Sequence, residues 1–217
     1  MSDWDESAGR VSQAFNDWFL IDGDQRAFLR LGLTFAGQAY KRIWDEAGSE
    51  PGDPDGPEQI DVFEDRVDGL HQGDYEWMHC SGVLRDAVTN YEIYLEKGRE
   101  EILRHQGQPI EVPDDAPFWR ELKKFYKQIG IDLEADGVED VRELRHFLTH
   151  RRGELRTEEL RKRYAADAKP FGPINVELSE DSVLEGMDVL ASAVRRVDVF
   201  TYRYTWTGAK LPEVESA

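Results

Sequence analysis

The residue types best suited to chemistry cluster in one basic segment, residues 142–163. Eight of its residues are arginine or lysine and four are glutamate, in a chain with 45 acidic and 27 basic residues overall. The segment therefore carries a net charge of +4 within a protein of net charge −18. Guanidinium groups bind phosphate oxygens in a fixed bidentate geometry, and the imidazoles of His146 and His150 can transfer protons near neutral pH. The segment is the best candidate for a phosphate-binding or catalytic site.

The spacing of these residues predicts that a helix presents them on one face. The helix is predicted to span 138–152 and to end at Gly153, because glycine is typical of helix C-caps. At about 100° per residue, one polar arc contains Arg142, Arg145, His146, Thr149 and His150. The opposite face, which we expect to be buried, contains Val141, Leu144, Phe147 and Leu148.

The rest of the chain is predicted to be all-α. Apolar residues recur every three or four positions, which indicates amphipathic helices, and the connections suit an antiparallel bundle of five or six helices. Besides the helix above, the predicted helices are 24–46 with Asp24 as N-cap, 74–105, 118–129, 157–167 and 179–204. In the first of these, the stripe expected to face the core is Phe28, Leu31, Phe35, Ala39 and Ile43.

The domain organisation follows from the breaks between helices. Residues 1–23 are predicted to form a partly helical N-terminal extension, residues 24–206 one helical domain, and residues 207–217 a C-terminal tail. A Pro/Gly-rich loop is predicted at 48–57, with similar breaks at 107–117 and 168–175. No apolar run has the roughly 18 residues that a membrane span needs. A single cysteine, Cys80, excludes an internal disulfide and favours a cytoplasmic location.

The predicted helix resembles a known motif. Its sequence from Val141 to Gly153, VRELRHFLTHRRG, is similar to the R-x4-6-H helix of HEPN domains, with Arg145 and His150 as the motif residues. His146 stands where the best-known members carry Asn. The same spacing recurs from Arg66 to His71 and from Arg99 to His105, but only the third instance lies in the basic segment. The resemblance implies a helical bundle that dimerises and brings two motif helices into one cleft.

The resemblance also implies an activity, namely metal-independent endoribonuclease chemistry of the toxin or phage-defence type, with no cofactor. The ribose 2′-OH would attack the adjacent phosphate. His150 and His146 would be catalytic, Arg145 would stabilise charge on the phosphorane, and the phosphate-binding residues would be Arg142, Thr149, Arg151 and Arg152. The implied partners are RNA, a second copy of the chain, and a nucleotidyltransferase-like antitoxin or another defence protein. Candidates for the dimer face are Tyr91, Tyr94, Tyr202, Tyr204 and Trp206.

Three alternatives remain open from the sequence. The basic segment can be a solvated face that pairs with acidic surface, or the bundle can be a non-catalytic HEPN-like module for dimerisation or partner binding. A third alternative is a carboxylate-bridged metal site, because Glu76-x-x-His79 and Glu143-x-x-His146 match the ligand spacing of di-iron bundles. Such a site needs further glutamates, for which the candidates are Glu46, Glu92 and Glu121, and the adjacent arginines would repel the cation.

Overall fold

The computed structural model describes residues 11–48, 57–110, 119–151, 153–164 and 176–212 and shows an all-α bundle, as predicted. The described residues form seven helices and no strand. The helices are α1 (Gln13–Gly48), α2 (Gln59–Val67), α3 (Gln72–His105), α4 (Trp119–Gln128), α5 (Val138–Arg151), α6 (Glu158–Tyr164) and α7 (Glu180–Trp206). The sequence analysis missed α2, which ends where Asp68 and Gly69 adopt positive φ angles. Most of the three Pro/Gly-rich breaks lies outside the described residues, as do residues 1–10 and 213–217.

Helix α3 is the central element of the bundle. It has 34 residues, and α1, α4, α5 and α7 all pack against it. Its apolar side chains Val88, Leu95 and Ile102 are fully covered. Tyr91 and Tyr94 are also buried, so the expectation that they form a dimer face is wrong. The Tyr94 hydroxyl instead donates to a backbone carbonyl of α7, which covers this face of α3.

Helix α1 begins at Gln13, eleven residues before the predicted start at Asp24. Ser12 caps the helix locally, since its Oγ accepts from the Phe15 N–H at 3.0 Å. Two buried carboxylates from other helices complete the cap. Glu101 of α3 accepts from the backbone of Gln13 and Ala14, and Asp198 of α7 accepts from the backbone N–H and the hydroxyl of Ser12. Burial raises the pKa of Asp198.

The buried face of α1 differs from the predicted one. Trp18, Leu29 and Ala36 are its buried side chains toward the rest of the bundle. Phe28, Leu31 and Phe35, which were expected to face the core, are 62%, 53% and 62% exposed. The helix carries two apolar stripes, and α3 and α7 cover only one of them.

Helix α7 packs against both α3 and α1. Ser179 caps it, because its hydroxyl accepts from the Ser182 N–H and the Ser182 hydroxyl accepts from the Ser179 N–H. None of the helices in the described part of the chain is long and apolar enough to cross a membrane.

Candidate functional site

Helix α5 presents its polar face to solvent, as the sequence pattern predicts. Val141, Phe147 and Leu148 are buried against α3 and α7, whereas His146 and His150 are exposed. The buried face orients the helix about its axis, so packing alone directs the two imidazoles outward.

The end of α5 is fixed by Gly153. This residue has φ +75°, and its N–H donates to the Phe147 carbonyl at 3.1 Å. A Cβ at this position would lie 2.7 Å from Cζ2 of Trp77 on α3, so only glycine fits without displacement. The Gly153 carbonyl accepts from the Val176 N–H, and the Val176 carbonyl accepts from the Trp77 indole. The C-terminal end of the polar face is therefore tied to the central helix.

An open depression of about 610 Å³ runs along this polar face. Its volume lies within the range of small-ligand sites. The residues that line it are Glu134, Glu139, Arg142, Glu143, Arg145, His146, Phe147, Thr149, His150 and Arg163. The structure thus brings together all the predicted site residues whose side chains it describes. The side chain of Arg151 and the whole of Arg152 lie outside the described residues.

His146 and His150 form a close pair on successive turns of α5. Their ring centroids are 4.6 Å apart, with an interplanar angle of 50°. Both rings are exposed within the depression. The two rings are therefore in contact with each other, and both are open to a ligand that enters the depression.

Glu92 is the residue of this site that the sequence analysis did not assign to it. One of its carboxylate oxygens accepts from Nε and Nη2 of Arg142 at 3.1 and 2.9 Å, and the other accepts from Nη1 of Arg145 at 2.8 Å. The guanidinium of Arg142 also lies 3.4 Å above the Trp119 ring. These contacts fix both arginines and offset one of their two charges. Glu92 lies between the buried Tyr91 and Ile93, which is 41% exposed, and no sequence signal indicated its contact with α5.

Acidic side chains balance much of the positive charge expected here. Arg163 of α6 pairs with Asp140 and with Glu143, which places α6 at the rim of the depression. Glu134 lies on the α4 side, where Lys123 and the Trp119 indole donate to its carboxylate. The hydrogen bond from Lys123 is the main cause that lowers the pKa of Glu134. The depression is therefore a mixed-charge site, in which the two histidines are exposed and Arg145 is partly exposed.

The carboxylate-bridged metal alternative finds no geometric support in the described part of the chain. No three or more His, Cys, Asp or Glu residues there are placed to hold a metal ion. Glu92, which the sequence offered as a ligand, binds the two arginines instead.

Comparison of the chain with protein-family models, with curated proteins and with solved structures finds no match. The functional interpretation of the depression therefore rests on its residues and their geometry.

Proposed function

We propose that this protein is an endoribonuclease that cleaves RNA without a metal ion, through attack of a ribose 2′-OH on the adjacent phosphate. The observation that carries the proposal is the His146–His150 pair beside Arg145 in an open depression. This arrangement supplies a base, an acid and a phosphate-binding cation within one protomer. DNA would lack the nucleophile.

In the proposed reaction, His150 takes the proton from the 2′-OH while the O2′–P bond forms. The P–O5′ bond breaks, and the protonated imidazole of His146 gives a proton to the leaving O5′. The products are a 2′,3′-cyclic phosphate and a 5′-hydroxyl end. A positioned acid or base typically contributes about 10²- to 10⁴-fold to the rate.

Arg145 stabilises the charge that develops on the phosphorane. One well-placed donor at such a position contributes on the order of 3 kcal/mol. Its Nη1 is bound to Glu92, and its side chain is 33% exposed at the depression, so the guanidinium is held in place while its outer edge faces the substrate. Arg142 and Thr149 bind the flanking phosphates, together with Arg151 and Arg152.

A second candidate function is a non-catalytic module that binds RNA or a protein partner. The observation that favours it is the charge balance, because Glu92 already occupies Arg142 and Arg145. Under either function we propose a cytoplasmic protein that works with a second copy of itself and with an antitoxin-like or defence partner.

The two functions are separated by single substitutions at the histidines. We expect His150→Ala and His146→Ala each to lower cleavage of labelled RNA by at least about 100-fold while RNA binding persists. His105→Ala is the matched control, because His105 packs against Trp206 and does not line the depression. Cleavage should survive EDTA and should stop when the nucleotide at the cleavage site is 2′-deoxy. A folded wild type that binds RNA but cleaves none of a broad panel would favour the non-catalytic module.

A further inference from the structure

Helix α4 carries a net positive charge next to the depression. Its ten residues include four basic side chains and one acidic side chain, a net charge of +3 in a chain of net charge −18. These charges lie outside the basic segment, residues 142–163, to which the sequence analysis assigned all phosphate binding. An acidic protein repels a polyanion overall, so such a ligand docks where the surface charge is locally reversed. Helix α4 provides a second place of this kind.

The basic residues of α4 share one face of the helix. At about 100° per residue, all four fall within an arc of about 100°. In order around the helix they are Lys123, Lys127, Arg120 and Lys124. The buried side chains Leu122 and Tyr126 are centred on the side opposite Lys124, so their packing turns the arc toward solvent. Lys123, at the edge of the arc, is partly exposed and the other three are exposed. We call these four basic residues the α4 basic face.

Two contacts place the α4 basic face at the wall of the depression. The Trp119 ring of α4 lies 3.4 Å from the guanidinium of Arg142, which lines the depression. The Lys123 ammonium donates to the Glu134 carboxylate at 2.8 Å, and Glu134 lines the depression as well. Lys123 thereby offsets the negative charge of Glu134 at this border. The α4 basic face begins at the depression and continues over the outer surface of α4.

The charges on the α4 side of the depression are more available than those on the α6 side. Arg163, the α6 residue that lines the depression, already pairs with two carboxylates of α5. The ion pairs that α4 forms in the described part of the chain involve Arg120 and Lys123. Lys124 and Lys127 are exposed and take no part in those pairs. Binding a phosphate group on the α4 side therefore breaks fewer existing ion pairs.

We propose that the α4 basic face binds the backbone of a single-stranded RNA that also occupies the depression, an inference that rests on the proposed function. A depression of about 610 Å³ has the size of a small-ligand site, so it admits one strand rather than a duplex. A strand that leaves it past Arg142 meets Lys123 and then the three exposed cations, over about 10 Å of helix. Such contacts hold the strand in place without reading its bases. An acidic protein partner would not require the basic face and the depression to be continuous.

The first test measures binding of labelled single-stranded RNA to the full chain in the His150→Ala background, where the RNA stays intact. The triple variant Arg120→Gln, Lys124→Gln, Lys127→Gln removes three exposed charges and leaves the buried side of α4 unchanged. We expect its affinity to fall by about 10- to 100-fold at low salt. The slope of log Kd against log salt should decrease by about two, at about 0.7 for each phosphate contact. The matched control removes three exposed charges from α1, which packs against neither α4 nor α5 in the described structure, and it should change affinity far less. Its substitutions are Arg30→Gln, Lys41→Gln and Arg42→Gln.

The second test varies the length of the RNA. A strand of about 12 nucleotides should bind more tightly than a trinucleotide, and the α4 triple variant should lose most of that advantage. Absence of cleavage together with RNA binding that the triple variant weakens would defeat the nuclease proposal and support this one. Unchanged affinity in the triple variant, as expected if the acidic residues of 111–118 neutralised the face, would overturn it. So would a wild type that binds no RNA at low salt. Polyglutamate that displaces the RNA as well as unlabelled RNA does would assign the face to an acidic polypeptide and would also overturn it.

Discussion

The contact of Glu92 with two arginines makes Glu92→Gln the most informative substitution in this protein. The change removes one negative charge but keeps an oxygen that can accept a hydrogen bond. The carboxylate accepts three hydrogen bonds from Arg142 and Arg145. Without the negative charge of Glu92, the two guanidinium groups present about one more positive charge to a bound phosphate. Arg145 also loses the ion pair that holds its side chain in place. We therefore expect tighter RNA binding together with slower cleavage.

The size of the binding effect follows from Coulomb's law. At roughly 7 Å from a phosphate on the far side of Arg145, one unit charge contributes about 0.6 kcal/mol at a dielectric constant of about 80 and about 2.4 kcal/mol at about 20. Since about 1.4 kcal/mol corresponds to a tenfold change in affinity, Glu92→Gln should tighten binding by about 3- to 50-fold. Screening favours the lower end of this range at physiological salt. The kcat should fall by about 10- to 100-fold because Arg145 is less well placed.

The binding assay is fluorescence anisotropy with labelled single-stranded RNA, measured in the His150→Ala background so that the RNA stays intact. The control is Glu96→Gln, which removes the same charge one turn further along α3 and should change affinity less. The dependence of log Kd on log salt should also steepen by about one phosphate contact. Unchanged or weaker RNA binding in a folded Glu92→Gln variant would refute the inference that Glu92 offsets one of the two arginine charges. Tighter binding with unchanged cleavage would refute the role of Glu92 in placing Arg145.

Three further predictions concern stability and reactivity. Gly153→Ala should lower the free energy of unfolding by about 2–5 kcal/mol in chemical denaturation, because the positive φ and the contact with Trp77 both add strain. Gly107 has φ +68° but open space around it, so Gly107→Ala should lose only the part of this free energy that comes from the backbone conformation. Burial raises the pKa of Cys80 to about 11, so a maleimide should label this thiol at neutral pH only as fast as the protein opens, and rapid labelling of the native protein would contradict its burial. The pKa of Asp198 is raised in the folded state. The stability that this carboxyl contributes is therefore lost as the pH rises through its pKa in the folded protein. In melting experiments the deficit of Asp198→Asn relative to wild type should therefore shrink from acidic to neutral pH, and a constant deficit would show that Asp198 does not titrate differently on folding.

Local signals were sufficient to predict α5 and its polar face. The periodicity of Val141, Phe147 and Leu148 and the glycine at 153 lie within one helix, and the structure confirms both the buried side and the helix end. The start of α7, predicted at 179, was recoverable for the same reason. These features depend on neighbours three or four residues away, which a sequence pattern reports directly.

Features set by distant residues were not recoverable. Helix α1 has two apolar stripes, and which one is buried depends on how α3 and α7 approach it, so Phe28 and its neighbours were assigned to the wrong side. Glu92 lies 50 residues before Arg142 in the chain, and no pattern in the sequence links the two. The predicted start of α1 at Asp24 was wrong although Ser12 offered a local cap, because its supporting partners Glu101 and Asp198 come from other helices.

The cap of α1 joins residues that lie far apart in the chain. Ser12 and Asp198 are 186 positions apart, so a ribosome releases the first helix long before the residue that completes its terminus has been made. During synthesis α3, the main packing partner of α1, is made well before α7, but the cap of α1 is completed only when Asp198 of α7 has been made. A nascent chain arrested before α7 leaves the side of α3 that α7 covers open to solvent, so it should be a good substrate for chaperones, and docking of α7 should be the step that releases it.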